Sequence, residues 1–253
     1  MFNLSFFQND NQNSQNQLSR KKKYRHEFKY FSPEYILSYL EERTQHVLYK
    51  DSHVGEQGFY NIRSIYFDDL FNTCYRENED GTDPREKFRI RIYNNSPERI
   101  TLELKQKVRG KCLKLSTPLS RERCENLMYG RRLDVKNEDS FLYKKFYTQI
   151  LMRGFKPVNI VCYDRVPFIW KEGNVRVTYD RNIRSGSDFT KFFDADLPTR
   201  PILPAGTNLL EVKFDEFIPD FISEILQTSR LQQTSFSKYY LCRKYNMRST
   251  LKS

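Results

Sequence analysis

The feature that most constrains the fold of this chain is a period-two alternation of charged and apolar residues in five short segments. Successive side chains of a β-strand point to opposite faces, so each segment is predicted to have one charged face and one apolar face. The charged faces are rich in Arg and Lys, with single Glu residues between them. The five segments are residues 24–30, 88–92, 102–107, 175–180 and 210–214.

Strands of this kind are compatible with two architectures. In the first, an antiparallel sheet buries its apolar face and leaves its charged face in water. In the second, the sheet closes into a barrel with a charged lumen, and helices cover its apolar outer face. We favour the second because like charges on neighbouring strands destabilise a sheet unless an anion or a carboxylate lies among them. The prediction is an α+β fold, an antiparallel β-barrel tunnel with a charged lumen and helices packed outside.

The remaining sequence supplies the covering helices and further strands. Additional strand patterns lie at residues 59–68, 99–108, 111–116 and 158–170. Helical patterns lie at residues 34–43, 69–78, 121–129, 140–153, 218–226 and 237–245. We expect Ser32 to cap the first helix, with Pro33 in its first turn. Residues 1–21 are predicted to be a disordered polar tail and residues 22–253 a single domain.

Composition limits the partners and the compartment. The chain has 253 residues and a formal net charge of +11, which favours an anionic partner such as a phosphate compound, a nucleic acid or an anionic membrane. Its five cysteines are scattered without a C-x-x-C motif, which is typical of a reducing cytosol rather than of a disulfide framework. We find neither a signal peptide nor an apolar run of about 20 residues, so we expect a cytoplasmic protein with no transmembrane segment.

Eight short motifs follow one another along residues 22–245. They are Arg25-His26-Glu27-Phe28-Lys29-Tyr30, Ser64-Ile65-Tyr66-Phe67-Asp68, Arg89-Ile90-Arg91, Leu102-Glu103-Leu104-Lys105, Tyr163-Asp164-Arg165, Arg176-Val177-Thr178-Tyr179-Asp180, Leu210-Glu211-Val212-Lys213 and Ser237-Lys238-Tyr239. In this order they resemble the polyphosphate polymerase domain of the vacuolar transporter chaperone (VTC) family, within the triphosphate tunnel metalloenzyme superfamily. The resemblance implies a tunnel of antiparallel strands, which the alternation indicates independently.

The resemblance also implies roles for individual residues. The residues implied to hold phosphates during catalysis are Lys29, Arg89, Arg91, Lys105, Arg165, Arg176 and Lys238. Further contacts to substrate or cofactor are implied for Glu27, Lys107, Lys114 and Lys213, although Lys107 and Lys114 could face outward and Lys213 could only pair with a neighbour. The implied ligands of Mn²⁺ or Mg²⁺ are Glu211 and Glu103, since these hard cations bind carboxylate and phosphate oxygens. The implied reaction transfers the γ-phosphoryl group of ATP to a polyphosphate chain in the tunnel.

Two features depart from the superfamily pattern. Triphosphatase members begin with Glu-x-Glu-x-Lys, whereas this chain has Arg25 at the position of the first Glu. The substitution favours binding or synthesis of a phosphate chain over its hydrolysis. Eukaryotic VTC proteins also have a phosphate-sensing domain and membrane helices, and the sequence shows neither, so the resemblance does not imply export through a membrane.

Three other functions stay open at this point. The same fold could serve an inorganic or nucleoside triphosphatase, or a polyphosphate-binding module without turnover. Nucleic-acid binding is less compatible with the pattern, because a single-strand groove places aromatic rings beside its cations, whereas here Phe and Tyr mainly alternate to the opposite face. The sequence argues against a Walker-type nucleotide site, because no G-x-x-x-x-G-K-[ST] loop occurs.

Overall fold

The computed structural model describes residues 24–228 and 231–250, so the predicted tail at residues 1–21 lies outside the described residues. The described strands are β1 (His26–Pro33), β2 (Tyr49–Lys50), β3 (Tyr60–Asp68), β4 (Arg85–Tyr93), β5 (Ser96–Val108), β6 (Lys111–Leu119), β7 (Lys156–Trp170), β8 (Val175–Gly186), β9 (Arg200–Pro201), β10 (Thr207–Phe214) and β11 (Gln232–Gln233). The described helices are α1 (Glu34–Gln45), α2 (Thr73–Glu79), α3 (Arg121–Tyr129), α4 (Phe141–Arg153), α5 (Asp220–Leu226) and α6 (Lys238–Thr250).

The strands form one antiparallel sheet in the order β11-β1-β10-β8-β7-β3-β4-β5-β6, with β2 beside β7 and β9 beside β8. The sheet is strongly curled, since the residue that precedes β1, Arg25, exchanges two backbone hydrogen bonds of 3.0 and 2.9 Å with Cys112 of β6. In the described part of the chain this isolated bridge is the only backbone pairing between this end of β1 and β6. The curled sheet confirms the predicted α+β tunnel.

The apolar faces of the strands point outward and form the core with the helices. Phe88 of β4 is 1% exposed and stacks on Phe146 of α4 with ring centroids 4.9 Å apart. Elsewhere on the same outer face, α1 and α5 cover Leu210 and Val212 of β10. Since these residues alternate with charged ones, burying them outside directs the charged side chains inward.

Local sequence explains most element boundaries, with one correction. Ser120 and Ser140 cap α3 and α4 by accepting bonds from the backbone of the third residue beyond each cap. The predicted Ser32 cap of α1 is wrong, because β1 runs through Pro33, which itself takes the cap position. Ser32 is fully buried, and its hydroxyl donates to the carbonyl of Pro33 instead.

Candidate active site

The register between neighbouring strands places the inward charged side chains beside one another. Lys29 of β1 lies opposite Glu211 of β10, and Arg89 of β4 lies opposite Glu103 of β5. Arg165 of β7 likewise lies opposite Asp180 of β8. Alternating residues of one strand share a face, so each of these pairs extends into a charged row along the lumen.

These rows line one cavity. Ten basic side chains face it, together with the two carboxylates of Glu27 and Glu211. The basic residues are Lys29, Arg85, Lys87, Arg89, Arg91, Lys105, Lys107, Arg165, Lys213 and Lys238. A bound polyanion would neutralise this excess of fixed positive charge.

Glu27 and Glu211 form a carboxylate pair in the lining of this cavity, and their side chains are 6% and 5% exposed. Lys29 lies 3.6 Å from Glu27 and 3.8 Å from Glu211, while Lys213 lies 3.0 Å from Glu211 and Lys105 pairs with Glu27. Burial acts to raise the pKa of Glu27, but Lys105 and Lys29 outweigh it and lower that pKa to about 2. Both carboxyl groups are therefore ionised at neutral pH, since the pKa of Glu211 is also well below its usual range.

The pair is chemically suited to a hard divalent cation. Mn²⁺ and Mg²⁺ bind to one or two carboxylates and take their remaining ligands from water and phosphate oxygens. Within the described residues no group of three or more His, Cys, Asp or Glu side chains could hold a metal ion. Glu27 and Glu211 would thus be the protein's share of such a site.

Glu103 lies in a different setting from this pair. Its side chain is 2% exposed and accepts from Arg89 at 2.7 Å, while Lys114 lies 3.1 Å away. Arg91 lies 3.8 Å from the same carboxylate. The surrounding cations hold the pKa of Glu103 well below its usual range, against the effect of burial. This geometry suits a residue that positions arginines. These contacts of Glu103 include no second carboxylate that could share a metal ion with it, which is the role that the resemblance implies.

Asp180 organises a second cluster in the lumen. It is fully buried and accepts two hydrogen bonds of 2.6 Å from Arg165, and Lys238 lies 2.6 Å from it. Arg165 also donates to Glu211 at 2.9 Å, which connects this cluster to the carboxylate pair. Lys238 lies over the ring of Tyr163 at 4.7 Å. The two cations are therefore fixed before any substrate arrives.

The structure brings most of the predicted site residues to the cavity, but three of them lie away from its lining. Arg176 instead pairs with Asp51 at 2.7 Å and donates to the hydroxyl of Tyr60 at 2.9 Å. Lys114 and Glu103 form an ion pair at 3.1 Å, and Glu103 also accepts a hydrogen bond from Arg89. Lys107, whose direction was open, lines the cavity.

Sequence reasoning missed several lining residues. Arg85 and Lys87 continue the alternation of Arg89 and Arg91 on β4, so the same pattern could have found them. Tyr66 and Tyr163 were less visible, because aromatic residues were assigned to the outer core. Their hydroxyls accept hydrogen bonds of 2.9 Å from Arg89 and 3.1 Å from Arg91, respectively.

This fold and lumen define the class of the protein as a triphosphate tunnel fold. The structure is similar to that of HpAC1 from Hippeastrum, a candidate adenylyl cyclase with a dominant triphosphatase activity, at a TM-score of 0.51 and 12% identity over 87% of this chain and 96% of that one. It is also similar to a candidate adenylate cyclase from Bacillus halodurans, at a TM-score of 0.49 and 14% identity over 81% and 87% of the two chains. For the Mimivirus capping enzyme triphosphatase the TM-score is 0.38 at 11% identity, over 87% and 96%.

The family follows from the sequence itself. The profile of the VTC domain matches residues 24–246, and the chain belongs to the VTC domain family. The match confirms the resemblance that the eight motifs indicated. Comparison with curated protein sequences gave no match. In the part of the chain that the structure describes, no helix is long and apolar enough to cross a membrane.

Proposed function

We propose that this protein is a metal-dependent polyphosphate polymerase, which transfers the γ-phosphoryl group of ATP to the end of a polyphosphate chain in the lumen. The observation that carries this proposal is one cavity lined by ten basic side chains and a single carboxylate pair. Phosphoryl transfer needs alignment and charge neutralisation far more than covalent help, so fixed cations along a linear polyanion suit it. A terminal oxygen of the chain attacks the γ-phosphorus, the bond to the β–γ bridging oxygen breaks, and ADP leaves.

The basic residues have separable tasks in this scheme. Arg89 and Arg91 are oriented by Glu103 and by the hydroxyls of Tyr66 and Tyr163, which leaves guanidinium N–H groups to contact phosphate oxygens. A second group, Arg165 and Lys238, is held in the same way by Asp180. Because these contacts exist beforehand, little reorganisation is needed when the phosphates bind.

The metal site of the proposal consists of Glu27 and Glu211. A bound Mn²⁺ or Mg²⁺ would neutralise charge on the phosphate oxygens as the phosphoryl group is transferred. Lys29 and Lys213 contact both carboxylates and thereby fix their positions. The same two lysines would contact phosphate oxygens next to the metal.

Hydrolysis of a triphosphate is the second candidate, favoured by the fold likeness to HpAC1 with its triphosphatase activity. Arg25 argues against it. This residue occupies the position of a carboxylate in the triphosphatase motif and precedes Glu27 on the same face of the strand. Few acidic groups would therefore be available to orient an attacking water molecule, whereas many cations would be available to hold the end of a phosphate chain.

The decisive experiment incubates the protein with ATP and Mn²⁺ or Mg²⁺ and measures polyphosphate, free phosphate and ADP separately. Polyphosphate formed together with ADP supports the polymerase. Free phosphate without polymer would identify a triphosphatase, and binding without any product would identify a silent binding module. Single-stranded nucleic acid is then added as a competitor of tripolyphosphate binding, and effective competition would support the nucleic-acid alternative.

The proposed location is a reducing, cytoplasmic compartment, which is supported by the five cysteines, all of them free thiols.

A further inference from the structure

Four large apolar side chains are exposed to solvent at one place on the outer surface. Leu70 and Phe71 belong to the loop between β3 and α2, whereas Leu151 and Met152 belong to the last turn of α4. Their exposed fractions are 66%, 73%, 64% and 78%. Single exposed apolar residues are ordinary, but a cluster of them marks a binding surface. We call these four residues the apolar tip.

Contacts between the two segments hold the apolar tip together. Asp69, which precedes Leu70, accepts a hydrogen bond of 2.7 Å from Arg153, which follows Met152. Leu70 also lies beside Gly154, because a Cβ added to that glycine would be 3.9 Å from Cγ of Leu70. Residues distant in sequence therefore form one continuous surface feature.

The conformation of the β3–α2 loop is fixed by two carboxylates. Asp68 accepts hydrogen bonds of 2.9 Å from the backbone N–H groups of Asp69 and Cys74. Asp69 accepts from the backbone of Phe71 at 3.1 Å and of Thr73 at 2.9 Å. The loop presents its apolar side chains in an ordered form, so little conformational entropy would be lost on binding.

The core does not account for the apolar residues at the end of α4. This helix buries Leu142, Tyr143 and Phe146, which lie on one stripe at the helical period. Leu151 and Met152 fall outside that stripe, so polar residues in their place would leave the packing on the sheet intact. Their apolar character therefore needs a partner outside the core.

Cations without a carboxylate partner lie close to the apolar tip. Arg76 of α2 lies five residues after Phe71, and Lys156 of β7 lies opposite Asp68, at the start of the loop. Both side chains are exposed, and neither forms an ion pair within the part of the chain that the structure describes. An anionic surface would complement them.

A mainly apolar cleft continues this surface. Its volume is about 380 Å³, and its lining includes Phe155 and Ile150, the neighbour of Leu151. Lys156 and Arg131 also line it, and Arg131 is exposed without an ion-pair partner among the described residues. Apolar surface and unpaired positive charge therefore occur together a second time, next to the apolar tip.

We infer that the apolar tip docks this protein on an anionic membrane surface. The four apolar side chains enter the boundary between headgroups and acyl chains, while Arg76, Arg131 and Lys156 lie beside anionic headgroups. A second copy of the chain fits less well, because a two-fold interface would bring the same cations against one another. Protein partners in general favour surfaces rich in Tyr and Trp, which the apolar tip lacks. Docking is independent of the reaction proposed for the lumen.

Cosedimentation with lipid vesicles, without ATP or metal, tests this inference. The vesicles consist of phosphatidylcholine alone or of phosphatidylcholine with phosphatidylserine. We expect the wild type to bind the phosphatidylserine vesicles, and less so as the salt concentration rises. Phe71→Ser/Met152→Ser should lose about tenfold or more in partitioning, because two large apolar side chains no longer leave water. Arg76→Gln/Lys156→Gln should lose about fivefold for each charge removed, on phosphatidylserine vesicles only.

Phe141→Ser is the matched control, because Phe141 is 70% exposed at the opposite end of α4. It should bind vesicles like the wild type. If Phe71→Ser/Met152→Ser also binds like the wild type, the vesicles only adsorb a basic protein and the inference is wrong. Equal binding of the wild type to both kinds of vesicle would overturn it as well.

Sedimentation velocity covers the remaining occupant. A wild-type dimer that dissociates in Phe71→Ser/Met152→Ser would assign the apolar tip to a second copy of the chain and overturn membrane docking. Thermal unfolding verifies that each variant is folded. Product formation from ATP without vesicles should be the same in this variant and the wild type, so failure of the docking inference and failure of the proposed function are distinguishable.

Discussion

Arg89 and Glu103 form a buried ion pair, so a substitution of either residue leaves the other without this partner. Arg89 donates to Glu103 at 2.7 Å, and the carboxylate is 2% exposed. Under the proposed function, Arg89→Ala would remove a charge-assisted contact to phosphate, with a cost of about 1.5–3 kcal/mol in binding. It also leaves a buried carboxylate with fewer partners, which destabilises the fold. We expect weaker tripolyphosphate binding by calorimetry together with a lower free energy of unfolding by denaturant titration.

The double variant Arg89→Ala/Glu103→Gln separates these two effects. Neutralising Glu103 removes the buried charge, so part of the lost stability should return while the phosphate affinity stays low. Arg91→Ala should weaken binding in the same way, because Arg91 is 5% exposed and lies against the same carboxylate. Wild-type affinity in both single arginine variants would show that the lumen is not the phosphate site.

Glu211→Gln tests the carboxylate pair. Without metal, we expect triphosphate binding to be unchanged or tighter, because a negative charge leaves the lumen while Arg165, Lys213 and Lys29 stay. Metal-dependent turnover should fall on the order of 100-fold, the scale of losing one preorganised electrostatic group. Turnover measured across a Mn²⁺ titration provides the check, with Glu224→Gln on exposed α5 as the control. Normal turnover in Glu211→Gln would show that this carboxylate is not a metal ligand.

The sequence predicts the charged residues of the lumen better than their partners. Alternation places Lys29, Arg89 and Glu211 on inward faces, since a period of two is a local property of the chain. Which carboxylate lies beside which cation depends on register and on contacts distant in sequence. For this reason the Lys105–Glu27 and Lys238–Asp180 pairs could not be read from the sequence.

Among the elements, the β7–β8 hairpin depends on one glycine. Gly173 has a φ of 73°, and an added Cβ would lie 2.4 Å from the backbone oxygen of Phe217. Its own carbonyl accepts from the backbone N–H of Asp215 at 3.0 Å, which connects the hairpin to the end of β10. We expect Gly173→Ala to lower the free energy of unfolding by about 1–3 kcal/mol through the strained backbone conformation, and further through the contact with Phe217.

Thermal or denaturant unfolding of Gly173→Ala measures this effect. Gly81→Ala is a matched control, because Gly81 also has a positive φ, of 72°, but an added Cβ would meet no atom within 4 Å. The excess destabilisation at position 173 then reports the contact with Phe217 alone. Equal losses in the two variants would show that backbone strain, and not this contact, sets the cost.

The longer elements were predictable because each one has its own periodicity. Strands β4, β5 and β10 alternate throughout, and α3 and α4 begin at serine caps. The two-residue strands β2, β9 and β11 have no room for a period, and they form only because a longer neighbour offers free backbone groups. The predicted strand segment at residues 175–180 ended short of Gly186 for a related reason, since pairing with β7 and β9 extends β8.

At the scale of the whole molecule, the proposed function depends on the balance of charge in the lumen, which would determine whether water or a phosphate-chain end attacks the γ-phosphorus. One carboxylate pair among ten cations leaves few groups that could orient a water molecule. A phosphate-chain end, by contrast, can be held in line by lysines and arginines already fixed in place. This distribution of charge is the reason why we propose transfer to a chain and not to water.

Arg25→Glu reverses this balance at one position. Arg25 lies two residues before Glu27, and its backbone is anchored to Cys112, which lines the cavity, so the substitution would add a carboxylate at this edge of the lumen without altering the bridge. The wild type should convert ATP and Mn²⁺ into polyphosphate and ADP and hydrolyse tripolyphosphate slowly. In Arg25→Glu the ratio of free phosphate to polymer should rise, because a fuller carboxylate set can orient water beside the metal.

Arg25→Gln is the control, since it removes the positive charge without adding a carboxylate. If free phosphate rises equally in both variants, loss of a phosphate contact explains the change. Rapid tripolyphosphate hydrolysis by the wild type, with no polymer formed, would place this chain among the triphosphatases.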